Sequence, residues 1–146
     1  MREPSLHHIG YVVPSIDEGL DSWRRSLQAP ATSPVFEDPI QQVSVVFLDL
    51  PGPSEVKVEL VSATSTSSPV ARVQQQGGGL HHVCFLVDDL EAQIARMKSE
   101  RAFLIRSPVP AVAFGGRRIA WMRTRDRLLV EYLERGQSPG DSRDIR

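Results

Sequence analysis

The chain has 146 residues, 40% hydrophobic and 24% charged, with 17 basic and 18 acidic side chains and a formal net charge of −1. That balance excludes a global attraction for nucleic acid or an anionic membrane, and no apolar run approaches the roughly 20 residues of a membrane-spanning helix. A single cysteine, Cys84, permits no internal disulfide; with a polar stretch over residues 1–5 and no signal-peptide core, a cytoplasmic protein is expected.

The first predicted element is a short apolar strand, Leu6-His7-His8-Ile9-Gly10-Tyr11-Val12-Val13. A helix follows. Ser15-x-x-Glu18 is a capping box, and Ile16, Leu20 and Trp23 fall on one helical face. Pro34 ends any helical reading. Strands over residues 43–50 and 56–60 come next, separated by the turn Pro51-Gly52-Pro53-Ser54. Residues 65–79 read as a linker, with one or two helical turns over residues 69–76 and a glycine run, Gly77-Gly78-Gly79, that leaves the backbone free.

The pattern then repeats. Leu80-His81-His82-Val83-Cys84-Phe85-Leu86-Val87 matches the first strand at an offset of 74 residues. Leu90, Ile94 and Met97 repeat the helical face behind a second expected capping box, Asp88-x-x-Glu91. Ser107-Pro108-Val109 matches Ser33-Pro34-Val35, and Ile119 and Trp121 match Val45 and Phe47. Leu128-Leu129-Val130-Glu131-Tyr132 matches Val56-Lys57-Val58-Glu59-Leu60 at an offset of 72. The expected fold is therefore α+β, with one βαβββ module over residues 1–64, a linker over 65–79, a second module over 80–134, and a polar tail over 135–146 read as disordered. A module of about 55 residues buries little surface alone. Two packed together make one domain, a curved mixed sheet around a shared cleft.

Side chains alternate along a strand. Ile9, Tyr11 and Val13 share a face with His7, while Gly10 and Val12 share the other with His8. In the repeat, Val83, Phe85 and Val87 go with His81, and Cys84 and Leu86 with His82. The bulkier faces are expected to pack on the helices, which leaves His8 and His82 lining the cleft. Glu59 and Glu131 likewise stand opposite the apolar layers of the two last strands. A lone strand histidine is more often structural than a ligand, and a lone glutamate more often a solvated charge. One of each in equivalent positions of two repeats is a different matter. His8, Glu59, His82 and Glu131 are read as a candidate site for a divalent ion: Co²⁺, Mn²⁺, Zn²⁺, Ni²⁺ or Fe²⁺ accepts such a mixed set. His7 and His81 are read as structural residues or as supports of those ligands, and Cys84 as a small buried apolar residue. Arg117 and Arg118, of which alternation turns one inward, are candidate grips for a substrate carboxylate or phosphate. Gln41 and Gln42 are weaker candidates of the same kind, with Ser44 beside them. Arg123, Arg125 and Arg127 read as turn and edge charges.

These residues carry a resemblance. His8-Ile9-Gly10, Val43-Ser44-Val45-Val46-Phe47-Leu48, Val58-Glu59-Leu60, Ser68-Pro69-Val70-Ala71, Gly78-Gly79-Leu80-His81-His82 and Leu129-Val130-Glu131 resemble the vicinal-oxygen-chelate superfamily, and within it the methylmalonyl-CoA epimerases. The likeness spans residues 6–134. It implies the glyoxalase-like fold, metal ligation by His8, Glu59, His82 and Glu131, and removal and return of a proton beside a thioester carbonyl. Glu131 is the first candidate for the base and Glu59 the second. An acyl-CoA or similar acyl thioester is the implied small-molecule partner, and a homodimer the expected assembly. The chain departs from the family pattern in two places. Gln42-Val43-Ser44-Val45 lacks a glutamate that some epimerases carry there. The segments Ala113-Phe114-Gly115-Gly116-Arg117-Arg118 and Arg123-Thr124-Arg125-Asp126-Arg127 replace loops of other composition. Alternative activities on this fold are a glyoxalase-type lyase, a ring-cleaving dioxygenase, or metal-free sequestration of a drug-like molecule.

Overall fold

The computed structural model describes residues 1–136. The expected disorder of the polar tail falls outside them from residue 137 onward. Arg135, placed in that tail by the sequence reading, is fastened: its N–H donates to Val87 O at 2.8 Å and its guanidinium to Asp88, Ser5 and the Glu3 carbonyl.

In chain order the elements are β1 (Ser5–Val12), α1 (Ile16–Leu27), β2 (Phe36–Asp38), β3 (Val43–Asp49), β4 (Lys57–Ala63), α2 (Ala71–Gln75), β5 (Gly79–Val87), α3 (Leu90–Ser99), β6 (Phe103–Pro110), a 3₁₀ turn (Val112–Phe114), β7 (Arg118–Arg123) and β8 (Leu129–Glu134). The eight strands form one curled mixed sheet in the order β2-β3-β4-β1-β5-β8-β7-β6. Read outward from the central β1–β5 pair, each half has the same sequence of strands, so the duplication in the chain becomes a pseudo-two-fold in the sheet. β1 and β5 run antiparallel to each other, and each pairs in parallel with the last strand of its own module.

α1 and α3 pack on the convex face. Val13, Ile16, Val46, Leu48, Val58 and Leu60 form the core under α1, with Tyr11, Leu20 and Trp23 against it. Gly19 allows close approach there, since a Cβ would lie 2.8 Å from Val13 Cγ1. Val87, Leu90, Ile94, Ala120, Val130 and Tyr132 do the same under α3. A third cluster, which includes Val12, Val43, Phe47, Cys84 and Phe114, lies on the opposite, concave side. The first capping box forms as expected, with Ser15 Oγ accepting from Glu18 N at 3.2 Å. The second shifts by one residue: Asp89, not Asp88, accepts from Ala92 N at 2.9 Å. Asp88 is taken instead by the Arg2 and Arg135 guanidiniums, and Glu91 by Arg118.

Candidate metal centre

The concave face gathers the two first strands and the two last strands of the modules. The ladder sets this up. Cα partners on β1 and β5 include His8 with Cys84 and Gly10 with His82. Each histidine therefore faces a small residue across the pseudo-two-fold, and the space left is used. A Cβ built on Gly10 would lie 2.0 Å from His82 Cε1, so the imidazole occupies the volume that any side chain at position 10 would need.

The same ladder corrects the alternation argument for the neighbouring histidines. Its register jumps between Leu6 and His8 on one strand and between His82 and Leu80 on the other. His7 and His81 are thus the extra residues of two β-bulges, and a bulge breaks strict alternation. Both turn to their neighbours rather than to the helices. His7 Nδ1 lies 2.8 Å from His8 Nδ1, and His81 Nδ1 lies 2.9 Å from His82 Nδ1. Burial first, then the adjacent His8, push the His7 imidazole down to about 3; burial and His82 push His81 down to about 4. Both are neutral at pH 7 and available as acceptors. A proton on Nδ1 of His8 or His82 donated to such a neighbour leaves Nε2 bare and fixes the ring.

The bare edges converge. His8 Nε2 lies 3.1 Å from Glu131 Oε1, 3.6 Å from Glu59 Oε1 and 3.2 Å from His82 Nε2. His82 Nε2 lies 3.4 Å from Glu59 Oε1 and 3.6 Å from Glu131 Oε1. All four residues are buried, and their ligating atoms lie within 4.8 Å of one another. Metal–ligand bonds of about 2.1 Å place neighbouring donors about 3.0–3.4 Å apart, close to what is seen. Glu131 Oε1 also has no directed hydrogen bond despite its burial and its short distance to His8. An orphaned carboxylate oxygen aimed at the centre of four donors, two imidazole nitrogens and two carboxylates, fits a divalent ion.

Without an ion the electrostatics point to protons in its stead. Burial disfavours charge on His82, but the adjacent carboxylates of Glu131 and Glu59 outweigh it and raise the imidazole to about 9. Burial likewise opposes ionisation of Glu131, and the imidazoles of His8 and His82 overcome it, holding the carboxyl well below its usual range. Burial, followed by the two glutamates, pushes the Cys84 thiol well up. Cys84 is therefore a protonated packing residue.

Beside the quartet opens a cavity of about 710 Å³, within the ordinary size of a small-molecule site. Glu59, His82 and Glu131 border it, while His8 is fully buried behind them. Val43, Val45, Val61 and Ile119 supply apolar wall; Leu80, Leu128, Arg72 and Arg127 are exposed at its mouth. Of the sequence-derived substrate candidates, Gln41 borders this cavity, and Arg117, Arg118, Gln42 and Ser44 do not. Arg118 is held by Glu91 and Glu134 at 2.6–3.1 Å, tying α3 to β8. Arg117 donates to the Phe114 and Glu134 carbonyls and lies over the Phe114 ring. Gln42 has a left-handed backbone (φ 56°) and accepts from Ser65 and Ser67. Ser44 donates to Glu37 at 2.7 Å.

The residues that do border it were partly readable. Trp121 stands opposite Glu131 in the β7–β8 ladder, so alternation alone would have put it on the cleft side; its ring meets His82 edge-on at 4.7 Å. Arg106, Arg123 and Arg127 reach the cavity too, although Arg123 and Arg127 were read as edge charges. Phe114, whose ring stacks over His8 at 6.0 Å, comes from a glycine-bounded 3₁₀ turn and has no periodic signal.

Paired βαβββ modules curled around a cleft are the vicinal-oxygen-chelate architecture, the class that this sheet and its His/Glu quartet define. The chain belongs to the glyoxalase/bleomycin resistance protein/dioxygenase superfamily, whose family profile matches residues 7–121. An ethylmalonyl-CoA/methylmalonyl-CoA epimerase of Cereibacter sphaeroides is 28% identical over 123 residues, covering 83% of this chain and 89% of that protein. Among solved structures, a hypothetical protein of Bacillus halodurans C-125 is 28% identical with a TM-score of 0.80, covering 96% of this chain and all of the other. The methylmalonyl-CoA epimerase of Mycobacterium tuberculosis shares the fold at a TM-score of 0.76 and 23% identity, over 90% of this chain and 87% of its own. Among the described residues no helix is long and apolar enough to cross a membrane.

Proposed function

We propose that the protein is a metal-dependent epimerase or isomerase that removes and returns the proton α to the carbonyl of an acyl thioester. The observation that carries this reading is the pair of carboxylates, Glu59 and Glu131, brought from opposite modules to one buried quartet that opens on a single cavity. The likeness to an ethylmalonyl-CoA/methylmalonyl-CoA epimerase supports the substrate class.

A proton beside a carbonyl leaves only when the developing oxyanion is stabilised. His8, Glu59, His82 and Glu131 would hold the ion, and when bound it supplies Lewis acidity toward the carbonyl oxygen. The chain does the rest. His7 and His81 fix the ligand rings. The valines of the first-module wall exclude water, which strengthens every charge in the cleft. Glu131, ionised and nearly dry, is placed to take the proton, and Glu59 is its counterpart from the other module.

Among the described residues lining the cavity, no third carboxylate is free for the second face of the substrate. Val43 and Val45 occupy the first-module wall, and Asp38, the remaining carboxylate there, is engaged by the N–H groups of Ile40, Gln41 and Val112. Both proton transfers therefore fall to the quartet glutamates. The same observation favours a second reading, a glyoxalase-type lyase that shifts a proton within a thiol adduct. The proposal includes a cytoplasmic homodimer; sedimentation of the purified protein tests the assembly.

The deciding experiment is α-proton exchange of methylmalonyl-CoA in D₂O, followed by mass spectrometry, with and without added Co²⁺. Metal-dependent exchange that Glu131→Gln abolishes supports the epimerase. Exchange absent here but present on a glutathione–methylglyoxal adduct selects the lyase.

A further inference from the structure

Gln41 brings to the cavity a polar group that neither the fold nor the quartet uses. Gln41 is 8% exposed and borders the cavity, yet its Nε2 is buried with no hydrogen-bond partner. A buried amide donor left unpaired is costly, and native structures rarely keep one without a ligand or water to meet it. Its backbone is well held. Asp38 Oδ1 accepts from the N–H groups of Ile40 and Gln41, each at 3.0 Å, and Oδ2 faces Val112 N in the second module at 3.4 Å. On the other side, Gln42 O accepts from Thr64 N at 3.1 Å. The turn is thus fixed at both ends, and the Gln41 side chain stands on a rigid base at the cavity wall.

Arg106, from β6 of the other module, reaches the same place. Its guanidinium touches Ile40 O at 3.4 Å, it borders the cavity, and no carboxylate pairs with it among the described residues. A cation with no carboxylate partner and an unpaired buried amide therefore border one cavity from opposite modules, with four guanidinium N–H groups and one carboxamide nitrogen still to satisfy.

We propose that Gln41 and Arg106 form an oxyanion subsite of this cavity, separate from the four quartet residues, that binds a carboxylate or phosphate of the ligand and sets its orientation. This deepens the proposed function, since it takes the cavity as the substrate site, but it does not depend on which reaction occurs there.

The test is a titration of ¹⁵N-labelled protein, in zinc-containing buffer, with methylmalonate, with ADP and with the neutral dimethyl methylmalonate. The side-chain amide signal of Gln41 is identified by its loss in Gln41→Leu. The expected result is a saturable shift of that signal with one of the two anions and none with the diester. A response to methylmalonate assigns the subsite to the acyl carboxylate, and a response to ADP assigns it to a phosphate handle. Gln41→Leu and Arg106→Leu should each weaken binding of the responding anion about tenfold. Gln41→Leu should leave the melting temperature unchanged or raised, because it removes an unpaired polar group; a merely structural glutamine would lower it. A Gln41 signal that moves with neither anion, or equal binding by Gln41→Leu and wild type, overturns the subsite. Failure of α-proton exchange with this response intact sinks the proposed reaction alone.

Discussion

The two halves of the molecule share a strand order and a ligand pattern, but they treat their histidines differently. His8 faces Cys84, is 0% exposed, and is enclosed by Phe47 at 5.4 Å and Phe114 at 6.0 Å. His82 faces Gly10, meets Trp121 edge-on and borders the cavity. Duplication supplies two equivalent ligands; what has grown around them makes one a buried anchor and the other part of the working surface. The outer strands diverge in the same way. β6 has eight residues and β2 only three, and the short one gives way to the turn that carries Gln41.

The glutamates give the sharpest way to break the symmetry. Glu131→Gln should lower α-proton exchange on the order of 10³-fold, with Glu59→Gln at least tenfold milder if Glu131 is the principal base; steady-state exchange kinetics on the two variants decide this. Equal losses would restore full equivalence to the halves.

Truncation of the histidines separates anchor from surface. His8→Ala leaves a hole between Phe47 and Phe114 and should cost about 2–4 kcal/mol in denaturant unfolding of the metal-free protein. His82→Ala opens onto an existing cavity and should cost at most half of that. The reverse order would mean that His8 is not the better packed of the two.

The small residues opposite them should also behave unequally. Gly10→Ala drives a Cβ into the His82 ring and should weaken metal binding about 10–100-fold. Cys84→Ala, the pseudo-symmetric change, removes only a buried sulfur and should leave metal affinity within about threefold, at a cost of about 1 kcal/mol in stability. Calorimetric titration of both variants compares them directly.

The smallest effect is in the pH dependence. In the metal-free protein His82 is raised to about 9. It is therefore protonated at pH 7.5, and a divalent ion must displace that proton. Apparent metal affinity should fall as pH drops below about 9 and flatten above it, with a proton released on binding at pH 7.5. Measuring the binding enthalpy in buffers of different ionisation heat counts the protons. No release would mean that His82 is neutral before the ion arrives.

Much of this was legible in the chain. The repeat, at offsets of 74 and then 72 residues, and strand alternation singled out His8, Glu59, His82 and Glu131, and the structure brings those four side chains together. What escaped has a physical reason in each case. Alternation fails at a bulge, so His7 and His81 were assigned to the helix face and are found beside their neighbours. Asp88 and Asp89 satisfy the same capping rule, and the choice between them is made by Arg2 and Arg135, which claim Asp88 from distant parts of the chain. Gln41 and Gln42 are adjacent glutamines; a left-handed backbone at Gln42 sends the second outward, and nothing local announces it. Arg118 has the right charge for a substrate grip, but Glu91 and Glu134 already hold it.

The central claim is that the quartet holds one divalent ion, and elemental analysis of the purified protein tests it most directly. After incubation with Co²⁺, Mn²⁺ or Zn²⁺ and removal of the excess, the wild type should retain one ion per chain, and His82→Ala and His8→Ala should each retain none. A folded wild-type protein that stays metal-free under all three conditions would contradict the account and leave the cavity as a pocket that binds its ligand without a metal.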